Sequence, residues 1–374
     1  MTEDPQQRHL AMNILYSFNK LGFEERYWQK EIAGASTDAV RFIPFNHGAY
    51  IDPQLYIRAQ LLDSLYFAKY PALMRLYAAF EAVLKETRAD ALIVDNCQPY
   101  HPDYLRKIPV YKVLRTSDGP LTAYDRDFAY VHAFDQVLYH SPAYSPEMGM
   151  AEKLQYLGAK NRDFWPQALF DAMFDATKTE EALLAADRDI DIIFIGALFP
   201  GKMPLLAKVK KAFGGRCRIH GLTNVKRNVY FNLKYGFPGW VRPARFEDYV
   251  SLYQRAKIGI NVHNRGDYTV GSYRLFDLPG NGIMQLSDGG EFLESFFRVG
   301  EEIVAYKDAD ELIDKLRYYL DRDEERKRIA LNGYCRVMRD HRIRHRLHQA
   351  ADLIQRGMER MGRSHHRALA GSAR

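Results

Sequence analysis

Scarce cysteine and missing membrane signals limit what this 374-residue chain can be. Its three cysteines (Cys97, Cys217 and Cys335) are odd in number, far apart and without a CxxC spacing. We therefore expect a reduced, cytoplasmic protein rather than a disulfide framework. No apolar run reaches the roughly 18 residues of a membrane span. The opening MTEDPQQRHL lacks the pattern of a signal peptide, so we expect no transmembrane segment.

Two common nucleotide-binding signatures are also missing. The loop GALFPGK at 196–202 has no Lys-Ser/Thr pair after its glycines, which argues against a Walker P-loop and ATP hydrolysis. It is not GxGxxG either, which argues against a dinucleotide dehydrogenase. DxD triplets occur mostly in predicted linkers and helix starts, where acids favour the helix dipole. We therefore predict no bound metal and no cofactor.

The positive charge of the chain is concentrated at its end. The net charge is +6, and residues 341–374 contain eight Arg and two acids, so the rest is neutral overall. A basic tail of this kind can contact an acidic partner, nucleic acid or an anionic membrane face. It can equally be a solvated final helix, because no aromatic interleaving accompanies the Arg residues.

Short apolar runs, each ended by Gly, Pro, Asn or Asp, alternate with helical spacing along the chain. This rhythm predicts parallel sheets wrapped by helices, an α/β fold. The predicted strands lie at 12–18, 40–45, 91–94, 110–114 and 136–139, and then at 190–195, 217–220, 258–262, 283–286 and 302–305. One long helix is predicted at 61–86, and a connector at 163–187.

The length favours two domains rather than one core. We predict two Rossmann-like domains that face each other, with the active-site cleft between them. Residues 1–185 would form the first domain, residues 186–345 the second, and residues 346–374 a basic helix or tail.

The most informative segment is 258–290, IGINVHNRGDYTVGSYRLFDLPGNGIMQLSDGG. A buried strand, a polar loop, a short amphipathic stretch and a Gly-rich turn place Arg274 and Asp277 near the carboxyl end of a parallel strand. Open sheets bind ligands there. A guanidinium suits phosphate oxygens, and a carboxylate suits a ribose hydroxyl. The alternative is a surface salt bridge on a helix, since the two residues are three apart.

Two loops after predicted strands carry further candidates. Gly196 would let backbone N–H groups approach an anion, and Lys202 at the following helix start could reach a phosphate. The alternative is a plain tight turn between strand and helix. Asp118 follows a strand directly and could orient a sugar hydroxyl or act in acid–base catalysis. Its alternative is a turn in which it binds its own backbone.

The chain resembles glycosyltransferases of the GT-B fold, specifically the spore maturation protein CgeB-like group, in a series of segments. These are IGINVHN, SYRLFD, MQLSD and the stretch from EFLESFF to GYCRV. The resemblance covers residues 190–345 and is most specific at 272–277 and 297–306. In the first half, VLRTSDGP is similar to a strand-then-Asp-Pro element of that group.

The resemblance implies transfer of a sugar, with retention, from a nucleotide donor held mostly by the second domain and without a required metal. Asp277 stands where related enzymes carry a glutamate that binds the ribose. Arg274 and Lys202 match basic positions near the diphosphate, and the stretch 240–242 borders the base. The candidate donor-binding residues are Gly196, Lys202, Val241, Arg242, His263, Asn264, Ser272, Tyr273, Arg274 and Asp277.

Several alternatives remain at this point. Position 269 is Thr where the first acid of the family's ExxxxxxxE pattern is expected, with Asp267 nearby. This difference favours a catalytically inactive scaffold that binds a glycan or a protein partner. A sugar-nucleotide epimerase of the same architecture is the enzymatic alternative, and the basic tail alone suggests a DNA-modifying transferase. The sequence does not specify the acceptor, which could be a glycan, a lipid-linked glycan, a protein or nucleic acid.

Overall fold

The computed structural model describes residues 11–20, 22–51, 61–96, 99–116, 127–145, 147–263 and 272–371, with side chains as far as residue 362. The chain divides into two compact units. The first comprises the described parts of Met1–Tyr144, Met148–Pro166 and Arg344–Arg374, and the second those of Ser145–Glu147 and Gln167–Ile343.

The first unit is built on a six-stranded parallel sheet in the order β2-β1-β3-β4-β5-β8. Its strands are β1 (Met12–Phe18), β2 (Val40–Asn46), β3 (Ala91–Asp95), β4 (Tyr111–Thr116), β5 (Gln136–Tyr139) and β8 (Asn161–Phe164). A separate two-stranded ribbon joins β6 (Ala143–Ser145) and β7 (Met148–Gly149). Every residue of β3 is buried, as expected for a central parallel strand with both faces covered.

Helices separate these strands along the chain. They are α1 (Phe23–Gly34), α2 (Leu62–Phe67), α3 (Pro71–Thr87), α4 (Pro102–Leu105) and α5 (Met150–Tyr156). The predicted helix at 61–86 is two helices instead. Lys69 has a φ of 51°, in the left-handed region, and Pro71 starts α3, so the helix cannot continue between them.

The basic carboxyl-terminal segment is a helix that packs on the first unit. This helix, named α13 below, is Ile343–Gly371. The indole of Trp165 donates to the Arg346 carbonyl oxygen at 2.6 Å, and His348 Nε2 lies 2.8 Å from the Ala35 carbonyl oxygen. The described part of this segment is therefore an element of the first unit.

The second unit is built on a five-stranded parallel sheet in the order β10-β9-β11-β12-β13. The strands are β9 (Ile190–Ile195), β10 (Cys217–His220), β11 (Ala256–Asn261), β12 (Met284–Ser287) and β13 (Val304–Ala305). The helices are α6 (Glu180–Ala185), α7 (Met203–Phe213), α8 (Val225–Tyr235), α9 (Tyr249–Gln254), α10 (Arg274–Gly280), α11 (Ala309–Leu320) and α12 (Asp323–Asp340).

The strand order of the second sheet creates a switch point. From β9 the chain moves outward to β10 on one side and then to β11 on the other. Crossovers on either side of β9 leave a crevice outside the carboxyl ends of β9 and β11, the place where open sheets bind ligands. Parallel sheets with alternating helices in both units confirm the predicted α/β fold with two Rossmann-like domains.

Within the described ranges, no helix combines the length and the apolar character needed to cross a membrane.

Candidate functional site

Arg274 lies across the switch point of the second sheet. It is the first residue of α10, and its two terminal nitrogens donate to the Ile195 carbonyl oxygen at 3.1 Å and to the Val262 carbonyl oxygen at 3.3 Å. These carbonyls end β9 and follow β11. No ion pair joins Arg274 to Asp277, so the salt-bridge alternative is not what the structure shows. The buried Nε has no hydrogen-bond partner in the described part of the chain.

Lys202 is the second cation at this position. It precedes α7, a helix without a side-chain cap, and its side chain is 3% exposed. The Phe194 ring packs against both cations, with its centroid 5.0 Å from the Arg274 guanidinium carbon and 6.0 Å from Lys202 Nζ. Burial and the neighbouring Arg274 charge lower the Lys202 pKa to about 7, although Asp288 acts in the opposite direction. A buried ammonium beside a half-buried guanidinium favours an anion close to both.

Two glycines make room for this arrangement. A Cβ on Gly196 would overlap the Arg274 guanidinium, so the loop after β9 is more than a plain tight turn. A Cβ on Gly221, which follows β10, would overlap the Gly196 carbonyl oxygen and Leu198. The backbone of Gly221 therefore packs directly on the Gly196 loop, which a larger residue would displace.

His263 is held by a carboxylate from the neighbouring strand. Its backbone N–H donates to Asp288 Oδ1 at 2.9 Å, and its Nδ1 lies 2.6 Å from the same oxygen. A carboxylate accepts hydrogen bonds, so Nδ1 carries a proton. The opposite nitrogen, Nε2, is buried and has no partner among the described residues. Asp288 thus fixes the orientation of a ring whose other nitrogen remains available to a ligand.

Ser272 is linked to the same strand ends through amide and hydroxyl groups. Its hydroxyl donates to Asn261 Oδ1 at 3.1 Å, and Asn261 Nδ2 donates to the Ser287 hydroxyl at 3.1 Å. Ser287 in turn donates to the Asp288 carbonyl oxygen at 2.7 Å. Tyr306 donates to the Asn261 backbone at 2.8 Å. The network fixes the start of α10 relative to β11 and β12.

Asp277 is buried in α10, 6% exposed, and no described residue forms a hydrogen bond with its carboxyl group. Burial raises its pKa to about 8, although Arg274 opposes this shift. At neutral pH the group is therefore largely protonated, and it can donate as well as accept a hydrogen bond.

The remaining predicted residues lie around this centre. Val241 is buried in the hydrophobic core, and its backbone exchanges two hydrogen bonds with the Asn228 amide. Arg242 is exposed, and its backbone pairs with that of His220 at the end of β10. The Tyr273 ring lies 5.9 Å from the Phe170 ring.

Two predicted residues, Asp118 and Asn264, lie outside the described residues. The structure brings together Gly196, Lys202, His263, Ser272 and Arg274 at the strand ends. In the described ranges, no group of three or more His, Cys, Asp or Glu side chains could hold a metal ion.

Sequence reasoning missed the roles of Asp288, Gly221 and Phe194. Asp288 had a usable signal, because it comes two residues after one predicted strand, while His263 directly follows another. Parallel neighbours then bring the two together at one edge. Gly221 and Phe194 gave no such signal, since a glycine after a strand and an aromatic residue within one are ordinary.

Comparison with known proteins agrees with this fold. Residues 203–352, less than half of the chain, match the model of the glycosyl transferase-like family. No curated protein matches the sequence. Among solved structures, sucrose-phosphate synthase from Thermosynechococcus elongatus is similar at a TM-score of 0.56 and 14% identity, covering 92% of this chain and 99% of that one.

Two further structures have the same fold. The Anabaena HepE protein in complex with UDP and glucose has a TM-score of 0.56 and 11% identity, covering 92% of this chain and 100% of that one. A Listeria monocytogenes protein assigned as a UDP-N-acetylglucosamine 2-epimerase has a TM-score of 0.53 and 10% identity, covering 94% and 97%. At such identities the similarity shows the fold, and together with the family model it supports a GT-B glycosyltransferase.

Proposed function

We propose that the protein is a nucleotide-sugar glycosyltransferase that holds the diphosphate of its donor at the switch point of the second unit. The observation that carries this proposal is the pair Arg274 and Lys202. Both cations pack on Phe194 at the strand ends, and the buried Arg274 Nε has no partner among the described residues. Lys202 is buried and Arg274 is half-buried, and two such cations side by side are costly without an anion, which a diphosphate supplies.

The same pair explains how a departing nucleoside diphosphate would be stabilised. Negative charge grows on the diphosphate as the sugar leaves, and two fixed cations beside it favour that charge most in the transition state. We include metal independence in the proposal because Arg274 and Lys202 supply the positive charge that a divalent ion supplies in other sites. A protonated Asp277 would share a hydrogen bond with a ribose hydroxyl.

The finer assignments are also part of the proposal. They are membership of the CgeB-like group, transfer of a hexosyl or related sugar, and a retaining outcome, which the anomeric configuration of the product would test. Asp118 keeps its proposed catalytic role on the acceptor side. The HepE complexes contain UDP and glucose or UDP-glucose, so UDP-glucose is the first probe.

A thermal-shift panel of UDP-, GDP-, TDP- and CMP-linked sugars tests the site. We expect at least one to raise the unfolding midpoint, because ligand binding to the folded state stabilises it. No stabilisation by any member would instead favour an inactive scaffold. Incubating the stabilising donor alone separates an epimerase, which would release a rearranged sugar without any acceptor.

The Arg274→Ala variant tests the cation directly. We expect donor turnover to fall by more than about tenfold while the fold is retained, as for the loss of one charge-stabilising donor. Arg218→Ala is the matched control, because Arg218 lies on β10 of the same sheet and pairs at the surface with Asp189. Unchanged turnover in the Arg274 variant would refute the assigned role.

A further inference from the structure

A group of exposed apolar side chains lies on α8 and the turns that flank it. Leu233 is 83% exposed and Leu222 is 79% exposed, while Val225, Val229 and Trp240 are also on the surface. Isolated exposed apolar residues are ordinary, but here three lie on one short helix and two on the turns at its ends. A local apolar patch of this kind is typical of an interaction site.

The helix geometry places the patch on one side. Val225, Val229 and Leu233 are spaced by four residues, so they lie along one line of a helix about 16 Å long. The buried residues of the helix, Asn228 and Phe231, lie on a different side. The line of apolar residues is therefore largely turned toward solvent, with Val225 63% and Val229 44% exposed.

Hydrogen bonds fix both ends of this surface. At the start, Arg227 donates to the Leu222 carbonyl oxygen at 2.9 Å. At the end, Asn232 donates to the Gly239 carbonyl oxygen at 2.8 Å, which holds the turn that carries Trp240. The apolar residues are thus presented by a preformed element rather than by a loose chain.

The stretch of chain that contains α8 is rich in basic residues. Residues 192–246 contain 11 Lys and Arg and no Asp or Glu, although Lys208, Arg216 and Arg218 pair with acids from outside this stretch. On α8 itself, Lys226 and Lys234 are exposed and form no ion pair with any described residue. Lys234 lies 5.3 Å from the centroid of the exposed Tyr230 ring. Cations beside an apolar stripe with aromatic residues are the pattern of a helix that lies in a membrane interface.

We propose that the outward face of α8, with Leu222 and Trp240 at its ends, docks the protein onto an anionic lipid bilayer. Aliphatic side chains gain from burial among acyl chains, and Lys226 and Lys234 gain from anionic headgroups. Trp240 suits the level of the headgroups. A nucleic acid would satisfy the lysines but would leave Val225, Val229 and Leu233 in water, so it fits less well.

The docking face is joined to the loop that carries Lys202. Arg227 also donates to the Leu198 carbonyl oxygen at 3.2 Å, within the 196–202 loop. If the proposed function holds, the donor site then lies close to the membrane, and a lipid-linked acceptor is the class that this position favours. The membrane contact itself does not depend on that function.

Co-sedimentation of the full chain with vesicles tests the proposal. At about 0.1 M NaCl we expect binding to phosphatidylcholine vesicles with roughly one third phosphatidylglycerol, and little binding to phosphatidylcholine alone. The Val229→Ser/Leu233→Ser variant should bind at least about tenfold more weakly. Lys226→Gln/Lys234→Gln should bind several-fold more weakly, with a smaller effect at high salt.

A control and a second readout keep the test independent of folding. Tyr156→Ser removes a side chain that is 81% exposed on α5, so it should bind like the unchanged protein. Trp240 is exposed, whereas Trp28 and Trp165 are buried, so a blue shift of fluorescence on anionic vesicles reports the docking face. Thermal unfolding midpoints of all variants should agree, since every changed side chain is exposed.

Several outcomes would overturn the proposal. These are no binding to the anionic vesicles, or equal binding by the Val229→Ser/Leu233→Ser variant. Binding to duplex DNA that needs the lysines but not Leu233 would assign the surface to nucleic acid. A concentration-dependent dimer that the Val229→Ser/Leu233→Ser variant abolishes would assign it to a second copy of the chain.

Discussion

Replacing Lys202 with methionine should stabilise the donor-free protein while removing its ability to bind the donor. The Lys202 side chain is 3% exposed, lies beside Arg274 and forms no hydrogen bond with any described residue. Burial and the like charge lower its pKa from 10.5 to about 7. The charged form is therefore less favourable in the folded protein than in the unfolded chain, which is a cost to stability.

The pKa shift gives the sign and the size of the effect. Between pH 7 and about 10.5 the unfolded chain holds the Lys202 proton more tightly than the folded protein does, so the stability of the unchanged protein rises with pH. A shift from 10.5 to about 7 lowers the free energy of unfolding by roughly 4 kcal/mol at pH 7. At pH 9 this loss is about 2 kcal/mol smaller. Methionine has a similar length, fills the space and carries no charge.

Urea unfolding at pH 7 and pH 9 measures this difference. We expect Lys202→Met to be at least about 1 kcal/mol more stable than the unchanged protein at pH 7, with a smaller advantage at pH 9. Lys208→Met is the control on the same helix, because Lys208 is exposed and pairs with Asp310 at 3.3 Å. The thermal shift produced by UDP-glucose should disappear in Lys202→Met and remain in Lys208→Met. A Lys202→Met protein less stable at pH 7, or an advantage that does not change with pH, would refute the reasoning.

Three further substitutions test neighbouring groups. Asp277→Asn should gain stability relative to the unchanged protein as pH rises from about 4 to about 8. The reason is that the raised pKa of Asp277 makes ionisation of its carboxyl group unfavourable in the folded protein. Unfolding midpoints of both proteins at pH 5 and pH 9 measure this difference. Gly196→Ala should lose donor turnover about as severely as Arg274→Ala with little change in the unfolding midpoint, because the added methyl displaces only the guanidinium end; turnover close to that of the unchanged protein would contradict it. Asp118→Asn should slow transfer at least about 100-fold while the UDP-glucose thermal shift remains, which separates a catalytic role from donor binding.

Apolar runs between turn residues predicted much of the fold. The bounds of the interior strands β1, β5 and β9 agree with the predicted strands. A central parallel strand is buried on both faces, so its sequence is a short continuous apolar run and its ends are polar. Such strands are easily recognised in a chain of this kind.

Two elements that the sequence analysis did not predict, β8 and α8, lack such a clear pattern of apolar and polar residues. The strand β8 reads NRDF and lies at the edge of its sheet, where it pairs with β5 alone. An edge strand has a neighbouring strand on one side only, so it can form without a continuous apolar run. The helix α8 carries apolar residues on its buried side and on its outward side. Because its apolar residues do not form a single stripe, the helical periodicity is hidden, and the sequence did not predict this helix.

The candidate site was predicted where position along the chain determines position in space. Residues that follow β9 and β11 meet at one edge, so Gly196, His263 and Arg274 could be placed together from the sequence. The sequence could not show that Asp277 would be buried and without an ion pair to Arg274. That outcome depends on how α10 packs, which spacing alone does not determine.

Two arginines of the second unit show what distinguishes a structural cation from a binding one. Arg188, just before β9, donates four hydrogen bonds to the backbone carbonyls of Tyr253, Ala256, Asn281 and Gly282. Arg274, at the start of α10, donates two and keeps a buried Nε without a partner among the described residues. Each guanidinium has five N–H donors, so Arg188 is nearly saturated by its own unit, whereas Arg274 retains donors for a ligand. Both residues are arginines near strand ends, and the number of donors left unused separates their roles.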